Sequence, residues 1–248
     1  PVDQLGPRGQ PWLSMLALFT DRDGDGDLDL LIASDRSRDG RPPAAFHRND
    51  GLDGSGLPVL EDDAAELGAD LHSCSMGLAS ADLNGDQLLD YCISDLLSEL
   101  RCMLSDGAGS YFEGGLALGL VAHPEEHPDW DPLDAAQWSP WSIESVDLDN
   151  DGFVDVAAAA GPPPGPAGVA ESFVTRVQPD ALWQGSTSGF SDRSWTQGFG
   201  DASAHYGLVS TDLDGDGHRD LVLGAWGGPA VLWANPCSDA AWASVILE

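Results

Sequence analysis

Four acidic loops of one pattern recur along the chain at nearly equal intervals. They read DRDGDGDLD (Asp21 to Asp29), DLNGDQLLD (Asp82 to Asp90), DLDNDGFVD (Asp147 to Asp155) and DLDGDGHRD (Asp212 to Asp220), with starts 61, 65 and 65 residues apart. A single Asp- and Gly-rich turn is commonplace and spreads its charges into water. Four in phase mean one structural unit copied along the chain.

Each loop places an oxygen side chain at positions 1, 3, 5 and 9. These are Asp21, Asp23, Asp25 and Asp29 in the first, and Asp82, Asn84, Asp86 and Asp90 in the second. The third has Asp147, Asp149, Asp151 and Asp155, and the fourth has Asp212, Asp214, Asp216 and Asp220. Position 7 offers a backbone carbonyl, from Asp27, Leu88, Phe153 and His218. Hard oxygen donors at this density suit Ca²⁺, which takes about 6–8 of them at roughly 2.3–2.6 Å. Without an ion, two carboxylates about 4 Å apart repel by roughly 4 kcal/mol at an effective dielectric near 20. The expectation is about four calcium ions, one per loop. Position 6, where the chain must bend sharply, is Gly in three copies and Gln87 in the second. The second site is therefore expected to be strained or weaker.

The surroundings of the loops decide the fold class. An EF-hand needs flanking helices and a Glu at position 12. Here position 12 is Ile32, Ile93, Ala158 and Leu223, inside short apolar runs of strand length. Upstream, Met15, Met76, Trp141 and Tyr206 sit six residues before the first Asp, and Ala17, Leu78, Ile143 and Leu208 sit four before it. That is period-2 alternation, the mark of a strand with one buried face. A third strand follows in AAFHRN, LRCML, ALWQG and AVLWAN, and a weaker fourth is expected near Ser110–Phe112 and Gly189–Phe190. Each unit of about 62 residues thus reads as a four-stranded antiparallel blade, and the chain as an all-β propeller. The units run approximately over 11–72, 73–137, 138–203 and 204–248, within a single domain spanning 1–248.

The stretch YGLVSTDLDGDGHRDLVLGAW (Tyr206 to Trp226) resembles the FG-GAP repeat of integrin alpha-chain propellers. Tyr206-Gly207 stands at the "FG" and Gly224-Ala225 at the "GA"; Met76-Gly77 is a partial second match. The order of calcium hairpin, third strand and turn is similar to the FG-GAP/VCBS repeats of the cartilage acidic protein (ASPIC/UnbV) family. The resemblance implies structural calcium and a role in binding or adhesion. Relatives of the integrin type close with seven blades, so the four units are expected either to close compactly or to form a segment of a larger propeller.

The net charge is −32, from 33 Asp, 9 Glu and 10 Arg with no Lys. Four Ca²⁺ ions would leave about −24, still strongly acidic. This argues against nucleic acid and anionic membrane as partners, and no stretch is apolar enough to be inserted in a bilayer. Loops of this kind suit the millimolar calcium outside cells, so the expectation is an exported protein whose leader is absent from this chain. In the second unit, pairing about the loop sets Ser80 opposite Cys92 and Ala81 opposite Tyr91. Cys92 and Cys102 then face each other across a short turn, and a disulfide is expected there; Cys74 and Cys237 stay unassigned.

Catalytic signals are sparse. His123-Pro-Glu-Glu126-His127 matches H-x-x-E-H, but Pro124 and Pro128 oppose the helix that metal chemistry would need. Glu125 and Glu126 could serve as glycosidase carboxylates only across a cleft. Trp141, Trp183 and Trp233 read as core, whereas Trp130, Trp138 and Trp195 fall in or near loops where an exposed ring could stack on a sugar. The function expected is extracellular binding of a protein or glycan, without catalysis. The alternatives are a polysaccharide-active enzyme and a purely structural module. The sequence leaves the oligomeric state open.

Overall fold

The computed structural model describes residues 13–35, 41–96, 100–121, 138–162, 178–200 and 203–235. Sheet 1 holds β1 (Ser14–Thr20), β2 (Asp29–Ser34), β3 (Ala45–Leu52) and β4 (Pro58–Asp62). One helical turn, α1 (Ala64–Leu67), leads to sheet 2, with β5 (Leu78–Ala81), β6 (Asp90–Ser94), β7 (Leu100–Ser105) and β8 (Tyr111–Glu113). After α2 (Gly115–Leu118), sheet 3 comprises β9 (Pro140–Val146), β10 (Asp155–Ala160), β11 (Ala181–Gln184) and β12 (Ser191–Asp192). Sheet 4 has β13 (His205–Thr211), β14 (Asp220–Ala225) and β15 (Val231–Trp233). Every sheet is an antiparallel meander in chain order. The chain is therefore all-β and built of propeller-type blades, each with its acidic loop between its first two strands.

Consecutive sheets pack face to face. β1 meets β5, β5 and β6 meet β9, and β9 and β10 meet β13. Among the described residues β13 makes no comparable contact with β1. Among the described residues the blades thus pack in chain order, first on second, second on third and third on fourth. Each junction is an apolar layer. Leu31, Ala33 and Phe46 of sheet 1 pack on Tyr91, Ile93 and Met103 of sheet 2. Between sheets 2 and 3 the fully buried Trp138 and Trp183 stack edge to face with centroids 6.0 Å apart, beside Ala158 and Ala160. Small residues opposite large rings keep the layer filled. Gly77 is needed there, because a Cβ would lie 2.8 Å from the Trp141 carbonyl oxygen on the next sheet. Phe199 and Trp233, 5.8 Å apart, close the layer between sheets 3 and 4.

Strand order, the third strands and the fourth strands of units 2 and 3 agree with the sequence reading, and so does the Cys92–Cys102 disulfide. The register differs by one. Ala79 faces Cys92, Ser80 faces Tyr91 and Ala81 faces Asp90. The cause is position 9 of the loop, which is already the first strand residue. Trp138 lies in the core, where its indole N–H donates to the Pro179 carbonyl at 2.9 Å, so it is no loop platform. Trp141 and Trp233 are only half-buried, while Trp183 is fully buried. Met15 and Ala17 are exposed, and among the described residues no sheet covers that side of sheet 1. Cys74 is half-buried. Trp130, the 123–127 histidine-glutamate segment and Cys237 lie outside the described residues.

Candidate metal centres

All four acidic loops fold alike, for a reason written in their side chains. Each Asp or Asn accepts backbone N–H groups further along the loop and so winds the chain about its own carboxylates. The position-1 carboxylate takes the position-6 N–H: Gly26 on Asp21 at 3.2 Å, Gln87 on Asp82 at 2.8 Å, Gly152 on Asp147 at 2.9 Å and Gly217 on Asp212 at 3.0 Å. Position 3 takes the position-5 N–H. Those bonds are Asp25 to Asp23 at 3.3 Å, Asp86 to Asn84 at 3.0 Å, Asp151 to Asp149 at 3.2 Å and Asp216 to Asp214 at 3.1 Å. Position 5 takes the position-7 N–H. Asp27 donates to Asp25, Leu88 to Asp86, Phe153 to Asp151 and His218 to Asp216, all at 2.8–2.9 Å.

Two positions per loop adopt positive φ. Position 6 does so as expected, including Gln87 at 69°. Position 4 does so as well, as Gly24, Gly85, Asn150 at 58° and Gly215. That second requirement was visible in the sequence as a Gly or Asn in every copy. Asn tolerates this region better than other side chains, whereas Gln carries the strain of a Cβ there.

The winding gathers carboxylate oxygens. Those of Asp21, Asp23 and Asp25 lie within 4.8 Å of one another, as do those of Asp147, Asp149 and Asp151 and those of Asp212, Asp214 and Asp216. In the second loop Asn84 replaces the middle carboxylate, and its amide donates to Asp86 at 3.0 Å. These are all-oxygen donor sets of the kind a hard divalent cation takes.

The position-9 aspartates behave differently. Asp29, Asp90, Asp155 and Asp220 are buried, and each joins two strand segments through its two oxygens. One oxygen accepts the position-2 N–H, from Arg22 at 3.2 Å, Leu83 at 2.9 Å, Leu148 at 2.8 Å and Leu213 at 3.1 Å. The other accepts an N–H from the third strand or just after it, from Asn49 within β3, Ser105 at the end of β7, and Gly185 and Asn235 just past β11 and β15, at 2.8–2.9 Å. Each is a clamp that closes the hairpin onto strand three, and its remaining lone pairs leave it available to an ion. Burial pushes the carboxyls of Asp90 and Asp155 up to about 6, against the pull of the amides they accept from. The sequence reading assigned these residues as ligands and missed the clamp, which depends on a strand distant in sequence.

The third and fourth loops touch each other. The Asn150 amide donates to the Gly217 carbonyl and meets His218 Nδ1, both at 3.1 Å, which joins the third loop to the fourth. Only the first copy carries a cation at position 2. Arg22 pairs with Asp63 at 3.0 Å and lies 5.0 Å over the Phe46 ring, where the other copies have Leu. Beside the third loop a cavity of about 250 Å³ opens between sheets 3 and 4. Asp149, Gln184, Arg193, Leu182 and Trp233 line it, and the Gln184 amide donates to the Asp149 carboxylate.

No protein-family model matches the chain, and no curated protein matches it in sequence. Solved structures similar to it include BBS1N in complex with ARL6DN, from crystals soaked with lead, at a TM-score of 0.48 and 9% identity. The same complex soaked with mercury gives a TM-score of 0.49 and 10% identity. The likeness covers 92% of this chain and 60–61% of those chains, so this chain spans about three fifths of their length.

Proposed function

We propose that each acidic loop holds one calcium ion and that the ions brace an extracellular binding module for a protein or glycan partner. The observation that carries this is the gathering of three carboxylates within 4.8 Å in three of the four loops. Asp21, Asp23 and Asp25, with Asp147, Asp149 and Asp151 and with Asp212, Asp214 and Asp216, would hold the ions. Asp82, Asn84 and Asp86 would form a weaker fourth site, and the buried position-9 aspartates would complete the sets. Bound calcium supplies positive charge that offsets the repulsion within each loop and holds the first hairpin in register. The FG-GAP/VCBS-like pattern of the sequence agrees with this role. The cavity beside Asp149 is the place offered to a partner's side chain or sugar. Its Trp233 and Leu182 supply apolar surface, and its Arg193 and Gln184 supply donors.

Thermal melting with and without a chelator tests the calcium reading. A site at about 100 times its Kd contributes roughly 2.7 kcal/mol. At this chain length each kcal/mol shifts Tm by about 2–4 °C. EGTA should therefore lower Tm by roughly 5–10 °C per site lost. A melt unchanged by EGTA would sink the reading. A glycan array and a protein pull-down test the binding role, and the absence of any ligand from both would favour the structural module.

A further inference from the structure

A guanidinium is built into the first loop at a place where the other three loops have none. Arg22 stands at position 2, and the other copies have Leu83, Leu148 and Leu213 there. Its side chain is only 7% exposed. Nη2 donates to the Asp63 carboxylate at 3.0 Å, and Nε lies 3.6 Å from the carboxylate of Asp29, the clamp of that loop. The guanidinium also lies 5.0 Å over the Phe46 ring. Arginine stays charged when buried, so its desolvation has to be offset by matched carboxylates and by the ring face.

The seat and its occupant occur together. Phe46 pairs with the residue ten past the first Asp of its loop, and the equivalents in sheets 2, 3 and 4 are Cys102, Leu182 and Leu232. Asp63 donates its N–H to the Phe46 carbonyl at 3.0 Å. The same bond is made in sheet 2 by Gly114 to Cys102 at 2.9 Å and in sheet 3 by Arg193 to Leu182 at 2.7 Å. Cation, ring and carboxylate are thus replaced as a set in sheets 2 and 3. Through Asp63 the guanidinium ties the first loop to the turn that follows β4, a link that a leucine cannot make. We infer that Arg22 is the resident cation of the first hairpin. It holds the Asp29 clamp and the outer strand in place, so sheet 1 keeps its register without calcium while the other sheets loosen. Asp21, Asp23 and Asp25 stay available to an ion; what changes is the hairpin's need for one. The loosening of the other sheets rests on the calcium reading above, whereas the fastening by Arg22 stands apart from it.

Hydrogen exchange read by mass spectrometry on the whole chain, in calcium and in EGTA, tests it. The expected result is that β1 and β2 exchange alike in both buffers, whereas β9–β10 and β13–β14 exchange roughly tenfold faster in EGTA. Arg22→Leu should make β1 and β2 respond to EGTA by a similar factor, and Arg22→Lys, which keeps the charge, should not. Arg22→Leu alone strands the Asp63 carboxylate. Adding Asp63→Gly gives sheet 1 the pair that sheet 2 has in Leu83 and Gly114, and this double variant should respond to EGTA as the single one does. A first sheet that loosens in EGTA with Arg22 present would overturn the proposal. So would one that stays indifferent in both leucine variants while the other sheets respond. If no sheet of the unsubstituted chain responds to EGTA, the calcium reading fails by itself. The role of Arg22 then stands on faster β1 and β2 exchange in both leucine variants, reversed by lysine, and falls if their exchange is unchanged.

Discussion

The second and fourth acidic loops have the same backbone and different chemistry. Both wind through successive Asp-to-amide bonds, and both are clamped at position 9. Asp90 accepts from Leu83 at 2.9 Å and Ser105 at 2.8 Å, and Asp220 accepts from Leu213 at 3.1 Å and Asn235 at 2.9 Å. Yet the second has Asn84 where the fourth has Asp214, and Gln87 at φ 69° where the fourth has Gly217 at φ 88°. The loop shape thus survives the loss of a carboxylate and of a glycine. Two tasks are divided within nine residues: position 9 fastens the hairpin to the third strand, and positions 1, 3 and 5 gather the oxygens proposed to hold an ion.

The strongest way to break that comparison is to remove the clamps. Asp90→Ala and Asp220→Ala each orphan two backbone donors, at a cost of about 1–3 kcal/mol apiece for those that are buried. Both variants should lose on the order of 2–4 kcal/mol in urea unfolding, by similar amounts and in chelator as well as in calcium. A loss seen only in calcium would mean that position 9 acts solely as a ligand.

Next in size is the backbone at position 6. Gln87→Gly should gain about 1 kcal/mol by relieving a left-handed conformation, and Gly217→Gln should lose at least as much. Calorimetry would show Tm moving by roughly 2–4 °C in opposite directions. Shifts of the same sign would contradict the assignment of strain to Gln87.

The smallest effect belongs to position 3. Asn84→Asp adds a carboxylate beside Asp82 and Asp86 and removes the amide bond to Asp86. It should destabilise the chelated protein by about 1 kcal/mol, because Asn84 and Asp86 are exposed and the repulsion of roughly 4 kcal/mol at a dielectric near 20 falls to about 1 kcal/mol in water. In calcium it should be neutral or stabilising. The reversal of sign between the two melts is the outcome to look for.

The division of tasks also explains what the sequence could reveal. Ligand types, spacing and the strands on either side are local, so the loops and the blade order were legible from the repeat. The Cys92–Cys102 pairing was legible because both residues sit on adjacent strands joined by a short connection. The clamp was not, because the amides of Ser105 or Gly185 come from another strand 15 or 30 residues away. Treating Asp90 as loop alone also displaced the register by one, since Asp90 pairs with Ala81 as a strand residue. α1 and α2 are four residues each, too short to show a helical period. Trp138 reads as loop by its neighbours Ser139 and Pro140. Its burial follows from Trp183, 45 positions on, and from the Pro179 carbonyl.

Equilibrium dialysis of chelator-stripped protein against a series of free calcium concentrations tests the central claim most directly. The expected result is saturable binding of one ion per loop, with the second loop filling last and with Asp147→Ala removing one ion from the count. Binding that never saturates, or a count untouched by that substitution, would contradict it.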